Sequence, residues 1–317
     1  MTPLSTPRAR RAPALAALLA ALALVLTACG AERTDPVTPT AGTAYPLTVQ
    51  ADNGDATVPA RPSRIVSLSP TGTEMLFAIG AGSQVIAVDS YSTYPPDAPI
   101  TDLSAFTPNL EAVLAHEPDL VVASDDANGL VDGLRTAQVP TLLLGAADQL
   151  EDTYAQLNTL GTATDHTAGA QAVVSGMQQK VTDIVASVPQ QTTPLSYYYE
   201  LEPTLYTVTS ASFVGTLLAR LGLTNIADSA GSPGNAYPQL SAEALAKADP
   251  DLVFLADTKC CNANAQTYAA RPGLGGSTAV ATGSIVALDD DLASRWGPRT
   301  VDLLAAAADA VRSRSAG

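Results

Sequence analysis

The chain has 317 residues, of which 46% are hydrophobic and 15% charged, and its formal net charge is −15. This size and balance suit a globular protein of one or two domains and exclude a disordered or fibrous chain. The acidity makes nucleic acid and anionic membrane surfaces poor partners.

Residues 1–28 read as a signal peptide. Arg8, Arg10 and Arg11 form a basic start, and an apolar run follows over 14–26. That run is shorter than the roughly 20 residues a membrane-spanning helix needs. It ends in Leu26-Thr27-Ala28-Cys29-Gly30, the pattern of a bacterial lipoprotein signal, in which small residues precede a cysteine that is lipidated and becomes the N-terminus. Loss of the three arginines takes the formal charge from −15 to −18. Residues 29–60 are rich in Thr, Pro, Ala and Asp without periodicity, which predicts a flexible tether. The expected location is extracytoplasmic, anchored to the cell membrane through lipid on Cys29.

A first α/β lobe is expected over 61–165. A strand at 65–68 leads into a helix opened by Ser69-Pro70-Thr71-Gly72-Thr73-Glu74 and ending near 81, with Thr71 or Thr73 as its cap. A strand at 84–88 is followed by Asp89-Ser90-Tyr91-Ser92-Thr93-Tyr94-Pro95-Pro96. The prolines stop any helix there, leaving two tyrosines at a strand's carboxyl end. A loop at 102–108 carries Phe106. A helix to about 138 and a strand at 141–144 close the lobe, and the alternation implies a parallel sheet.

From 149 the pattern is helical. Over 167–188, Val173, Val174, Met177, Val181, Ile184, Val185 and Val188 recur on one helical face. Such a helix is roughly 33 Å long, enough to connect two lobes over 166–189 and to restrict them to a small closing motion. A second α/β lobe is expected over 190–317. It starts with a strand holding Tyr197, Tyr198 and Tyr199 and ending at Glu200, followed by a helix at 212–221. A strand at 284–288, the run Asp289-Asp290-Asp291-Leu292-Ala293-Ser294-Arg295-Trp296-Gly297-Pro298-Arg299, and a helix at 300–311 complete it.

An internal repeat relates the lobes. Residues 111–125 read E-A-V-L-A-H-E-P-D-L-V-V-A-S-D, and 243–257 read E-A-L-A-K-A-D-P-D-L-V-F-L-A-D, offset by 132 without a gap. Each copy predicts a short helix with its glutamate in the first turn, where negative charge suits the macrodipole. The helix stops near the proline. The apolar run then predicts a strand buried on both faces, with Asp125 or Asp257 at its carboxyl end, the ligand-binding side of an open α/β sheet.

Catalytic signatures are missing. There is no G-x-S-x-G elbow, no phosphate-binding G-x-x-x-x-G-K-[ST] and no G-x-G-x-x-G. His116 and His166 sit on predicted helices without a partner at metal-ligand spacing. No enzyme activity, resident cofactor or protein metal site is expected. Cys260 and Cys261 are adjacent in an exported protein. They can form a vicinal disulfide or remain as two reduced packing cysteines. The strand ends carry Asp89, Asp125, Asp126, Glu200, Glu202, Asp257, Asp289, Asp290 and Asp291 against Lys259 and Arg295, a balance that penalises an anionic ligand.

These residues resemble the type III substrate-binding proteins of ABC importers, the group that carries vitamin B12, haem and ferric siderophores. The marks are R-I-V-S-L-S-P-T-G-T-E at 64–74, the repeated E-A…P-D-L-V, the connecting helix and L-D-D-D-L-A-S-R-W-G-P-R at 288–299. V-D-S-Y-S-T-Y-P-P at 88–96 and S-R-W-G-P-R at 294–299 look most like the vitamin B12-binding branch. The resemblance implies two Rossmann-like lobes with parallel sheets, a cleft between them and a monomer. It also implies a metal chelate as ligand: a corrinoid first, then a neutral or cationic ferric siderophore, then haem, so that cobalt or iron arrives with the ligand. A chelatase or corrinoid-modifying enzyme on the same fold is a remote alternative.

Tyr91 and Phe106 would contact the ligand, with Phe106 where that branch often has tryptophan, and Asp291, Leu292, Ala293, Ser294 and Arg295 would form the opposite lip. Asp125, Tyr199, Glu200 and Trp296 complete the candidate contacts. Glu111 and Glu243, one per lobe, would dock on a two-fold ABC permease dimer.

Overall fold

Four-residue apolar runs set the two sheets. The computed structural model describes residues 43–231 and 234–315. Cys29 and the expected signal peptide lie outside the described residues. A hairpin of β1 (Leu47–Ala51) and β2 (Gly54–Val58) comes first. Lobe 1 then runs β3 (Ile65–Leu68), α1 (Pro70–Ala78), β4 (Val85–Val88), α2 (Leu110–Leu114), β5 (Leu120–Ala123), α3 (Leu130–Thr136) and β6 (Thr141–Leu143). Two long helices follow, α4 (Leu150–Thr164) and α5 (Thr167–Ser187). Lobe 2 runs β7 (Ser196–Glu200), α6 (Phe213–Ala219), β8 (Thr224–Asn225), α7 (Ala242–Ala248), β9 (Leu252–Leu255), α8 (Thr258–Cys261), α9 (Ala265–Ala269), α10 (Thr278–Ala281), β10 (Ile285–Ala287), α11 (Asp290–Ala293) and α12 (Thr300–Ser315).

Both sheets are parallel and share one topology. Lobe 1 has the order β4-β3-β5-β6, and lobe 2 has β8-β7-β9-β10. The repeat falls on equivalent elements. Asn109 caps α2 by accepting from the Ala112 amide, and Ser241 caps α7 by accepting from the Ala244 amide. Glu117 and Asp249, at equivalent positions, both turn the chain with positive φ, and buried Pro118 and Pro250 follow. The next aspartate ties the neighbouring strand. Asp119 accepts from the Ser63 and Arg64 amides at 2.8 and 2.9 Å, beside β3. Asp251 accepts from the Ser196 amide and hydroxyl, each at 2.9 Å, at the start of β7. Every residue of β5 and of β9 is buried, as the unbroken apolar runs require.

Three features depart from the sequence reading. First, residues 47–58 are not tether. The alternation of Leu47 and Val49 with Ala56 and Val58 around Asn53-Gly54 is a hairpin pattern, and Val49, Ala56 and Val58 are buried. The hairpin turn docks on β6: the Asp52 amide donates to Leu143 O at 2.9 Å, Asn53 Nδ2 to Thr141 O at 3.0 Å, and the Leu143 amide to Asn53 Oδ1 at 3.1 Å. Second, α1 is capped by Ser69, whose Oγ accepts from the Gly72 amide, not by Thr71 or Thr73. Third, β8 is only two residues long, too short to show a period.

The connecting helix α5 buries Ala170, Val174, Met177 and Val181, with Val173, Ile184, Val185 and Val188 partly buried beside them. It packs on α4 and on α12. A second link joins the lobes directly. Glu74 on α1 is 3% exposed. It accepts from Arg299 Nε at 3.0 Å and from the Arg299 amide at 2.9 Å. The Arg299 guanidinium also lies over Tyr94, 3.8 Å from the ring centre. A Cβ at Gly297 would come within 3.1 Å of the Glu74 carboxylate, so the segment lies directly on α1. Arg220, which follows α6, adds an exposed pair with Glu151 on α4.

Removing one partner of a buried pair strands the other charge. Arg299→Met is therefore expected to cost about 3–5 kcal/mol in urea unfolding at pH 7; a loss below about 1 kcal/mol would show that Glu74 does not depend on it. Asp119→Ala and Asp251→Ala should each cost about 1–2 kcal/mol, and the double variant should show their sum, because the sites lie in separate lobes.

Candidate functional site

On the lobe 1 side, the chain leaving β4 is held by Asp89, which is fully buried. Its carboxylate accepts from the Tyr91 amide at 2.8 Å and the Ser92 hydroxyl at 2.6 Å. Burial pushes the Asp89 carboxyl above its ordinary value, and the Ser92 and Tyr91 donors and the Arg295 charge oppose this. With its backbone fixed, the loop turns the Tyr91 ring outward, 56% exposed. Phe106, 71% exposed, meets it edge to face, with ring centres 5.2 Å apart. Such pairing adds about 0.5–1.5 kcal/mol beyond area burial. Two large aromatic rings in contact and mostly in water form a ready platform for an apolar ligand surface. Asp125 is exposed at the end of β5. Asp126 is partly used, accepting from the Val131 amide at 2.9 Å.

The facing rim belongs to lobe 2. Arg295 Nη2 donates to the Tyr91 carbonyl at 3.0 Å and to Asp291 Oδ1 at 2.7 Å, so the segment following β10 meets the segment following β4. Lys259 Nζ donates to Asp289 at 2.9 Å and Asp291 at 2.8 Å. These bonds push the Lys259 ammonium above its ordinary value. Both cations of this rim are thus neutralised by the protein's own aspartates. Ser294 is exposed and its hydroxyl donates to Asp290 O at 2.7 Å. Tyr237, 54% exposed, was not singled out from sequence as a site residue. Partial burial and then the charge of Asp148, which follows β6, push its hydroxyl up. A hollow of about 560 Å³ lined by Thr209, Ser210, Asp228 and Asn235 opens in the loops nearby in sequence.

Five candidate contacts are placed differently from the sequence reading. Tyr199 is fully buried and its hydroxyl donates to Ala293 O at 3.0 Å. It supports the rim from behind, because β7 is an inner strand covered on both faces. Ala293, 2% exposed, is part of the core and not of the lip, and Leu292 is partly buried against the same cluster. Trp296 is also partly buried. Its indole N–H donates to Gln156 Oε1 at 3.0 Å, and its carbonyl accepts from the Thr153 hydroxyl at 2.8 Å; it belongs to the seam with α4. Glu200 is fully buried and is held by Arg271, whose Nη2 donates to Oε1 at 2.6 Å. Arg271 has no sequence motif, but a glutamate interior to an apolar sheet demands a cation.

Asp257, the repeat partner of exposed Asp125, is fully buried beside this pair. Burial first, then the neighbouring Glu200 charge, push its carboxyl up to about 6. Because the folded pKa lies above the unfolded value of about 3.9, the native state holds the extra proton between these values. Stability from this group is therefore present at low pH and falls as pH rises from about 4 through 6. Asp257→Asn keeps a donor toward Glu200 without the charge. It should raise the melting temperature at pH 8 but not at pH 4, and an unchanged difference between the two pH values would refute the assignment.

Among the described residues no group of three or more His, Cys, Asp and Glu side chains is arranged to hold a metal ion. The periplasmic binding protein family model matches residues 65–292. A cobalamin-binding protein of Halobacterium salinarum is 31% identical over 277 residues, covering 84% of this chain and 74% of its own. A vitamin B12-binding protein of Pectobacterium atrosepticum is 30% identical over 250 residues, covering 76% and 85%. Among solved structures, a possible iron-binding (periplasmic solute-binding) protein of Staphylococcus epidermidis superposes with a TM-score of 0.69 at 25% identity, covering 80% of this chain and 99% of its own. The shared lobes, the matched span and these relatives together establish that the chain belongs to the periplasmic binding protein family.

Proposed function

We propose that this protein is the lipid-anchored receptor of an ABC importer, that it binds a corrinoid between its lobes and that it delivers it to the permease. The observation that carries this reading is the exposed Tyr91–Phe106 pair set against a rim whose cations are already paired. A broad, largely apolar ligand without excess negative charge fits such a mouth. The relatives named for cobalamin and vitamin B12 support the same ligand class. Lobes at 61–165 and 190–317 joined by a connector at 166–189 are the working division. The family supports a binding role, and the cobalt stays with the ligand.

Docking is assigned to Glu111 and Glu243. Both are exposed, and both lie in the first turn of equivalent helices, α2 and α7. Two matched carboxylates suit a two-fold permease. Lipid on Cys29 would supply the membrane contact, and one copy of the chain suffices for the site. A ferric chelate is the second reading, supported by the iron-binding name of the Staphylococcus structure.

Titration with cyanocobalamin, followed through Trp296 fluorescence, is the deciding measurement. Saturable quenching at micromolar or lower ligand is expected; no response to cobalamin with saturation by a neutral ferric siderophore would transfer the site to the second reading. Tyr91→Ala and Phe106→Ala should each weaken binding about tenfold, as loss of an aromatic contact costs about 1–2 kcal/mol. Reversal of both docking carboxylates, Glu111→Arg with Glu243→Arg, should abolish cellular uptake and leave the dissociation constant unchanged. Normal uptake would remove these residues from the docking role.

A further inference from the structure

The Cys260–Cys261 pair is bonded and lies on the exposed single turn α8. Helices this short do not hold themselves together, so other contacts must fix the turn. Two backbone amides donate to one carboxylate, and a hydroxyl whose shorter bond goes to the Leu288 carbonyl at 2.6 Å lies beside it. The Lys259 amide donates to Asp290 Oδ1 at 2.8 Å, the Cys260 amide to Asp290 Oδ2 at 2.9 Å, and the Thr258 hydroxyl lies 2.9 Å from Oδ1. Asp290 opens α11, and its neighbour Asp291 holds Arg295, which reaches the Tyr91 carbonyl of lobe 1. Lys259 adds a second tie, through its ammonium, to Asp289 and Asp291. Charge-assisted hydrogen bonds, joined through the covalent link of Asp290 to Asp291, thus run from the adjacent cysteines to the contact between the lobes.

We propose that the Cys260–Cys261 disulfide is a redox-sensitive fastener of the lobe 2 rim, positioning Asp290 and with it the Asp291–Arg295 arm that meets Tyr91. The cross-link restricts the backbone torsions flanking the Cys260–Cys261 peptide, whose N–H donates to Asp257 O, and so limits the unwinding of the turn that carries the Lys259 and Cys260 amides to Asp290. Both cysteines are exposed, and an exposed disulfide is open to thiolate attack. An external dithiol supplies the electrons. One of its thiolates attacks a cysteine sulfur and forms a mixed disulfide. Its second thiol displaces that sulfur, leaving Cys260 and Cys261 as thiols and the reductant as a disulfide, a transfer of two electrons and two protons. The freed turn then loses its hold on Asp290, the arm loosens, and ligand held at this mouth escapes faster. The last step rests on the corrinoid reading above; the loosening does not.

The test uses the full chain in detergent, before and after dithiothreitol. Hydrogen exchange is read over 257–264 and 288–296, with α5 as an internal reference. Reduction should speed exchange of the Lys259, Cys260, Ala293 and Ser294 amides about tenfold while α5 is unchanged. Equal exchange in both states would overturn the proposal. The variant Cys260→Ser with Cys261→Ser should match the reduced protein with or without dithiothreitol; exchange like that of the oxidised protein would also overturn it. Cyanocobalamin affinity should fall several-fold on reduction and recover on reoxidation, and an unchanged affinity would refute control of the mouth. If the oxidised protein binds no cobalamin, the ligand assignment fails, and the exchange comparison still decides the fastener.

Discussion

The two lobes are held in register by one carboxylate that is almost entirely shielded from water. Glu74 sits in the first helix of lobe 1, and its counter-charge, Arg299, comes from the far end of lobe 2. Separation of the lobes at this point would leave a buried anion without a cation, at a cost several times that of an exposed pair. The seam around it adds the Trp296 contacts to α4 and the Arg299 guanidinium over Tyr94. Together with α5, which packs on helices of both lobes, this makes a frame that opposes separation of the lobes. The aromatic platform and the acidic rim therefore face each other before any ligand arrives.

Duplication explains how so many placements recur. A proline ends each repeat helix, and the aspartate after it accepts from the amides at the neighbouring strand's start, so one dipeptide stops a helix and aligns a sheet. The copies then diverge at their last residue. Asp125 remains in water, whereas Asp257 is enclosed beside Glu200 and Arg271. The same letter at the same repeat position is a surface carboxylate in one lobe and a mostly interior acid in the other. Lobe 2 thus encloses a Glu–Arg–Asp group at the strand end where lobe 1 leaves its aspartate in water, while a buried acid of lobe 1, Asp89, sits at the end of a different strand.

Much of the architecture was legible in advance because it depends on local chemistry. Apolar runs such as 120–123 and 252–255 have only one comfortable environment, and prolines and caps mark where helices stop. The exposed position of Tyr91 was legible too, from a loop that leaves a strand at its carboxyl end, whereas Phe106 was singled out only through the family resemblance. The inward turn of Tyr199, Glu200 and Ala293 was not. Whether a strand's last residues face a cleft or the core depends on which layer covers them, and that layer comes from residues 265–271 and 289–296, far along the chain. Arg271 was invisible for the same reason: its partner is 71 positions away. The hairpin at 47–58 was hidden by composition, since threonine and alanine suit both a tether and an edge strand.

That hairpin has a further effect. The last strand of the lobe 1 sheet, β6, would otherwise present its outward amide and carbonyl groups to any passing extended peptide, the usual route to strand-by-strand aggregation. Asp52 and Asn53 take up the Leu143 N–H and the Leu143 and Thr141 carbonyls instead. The border of the sheet is sealed by a turn rather than lengthened by a strand, so it has no free ladder on this side for another chain to extend.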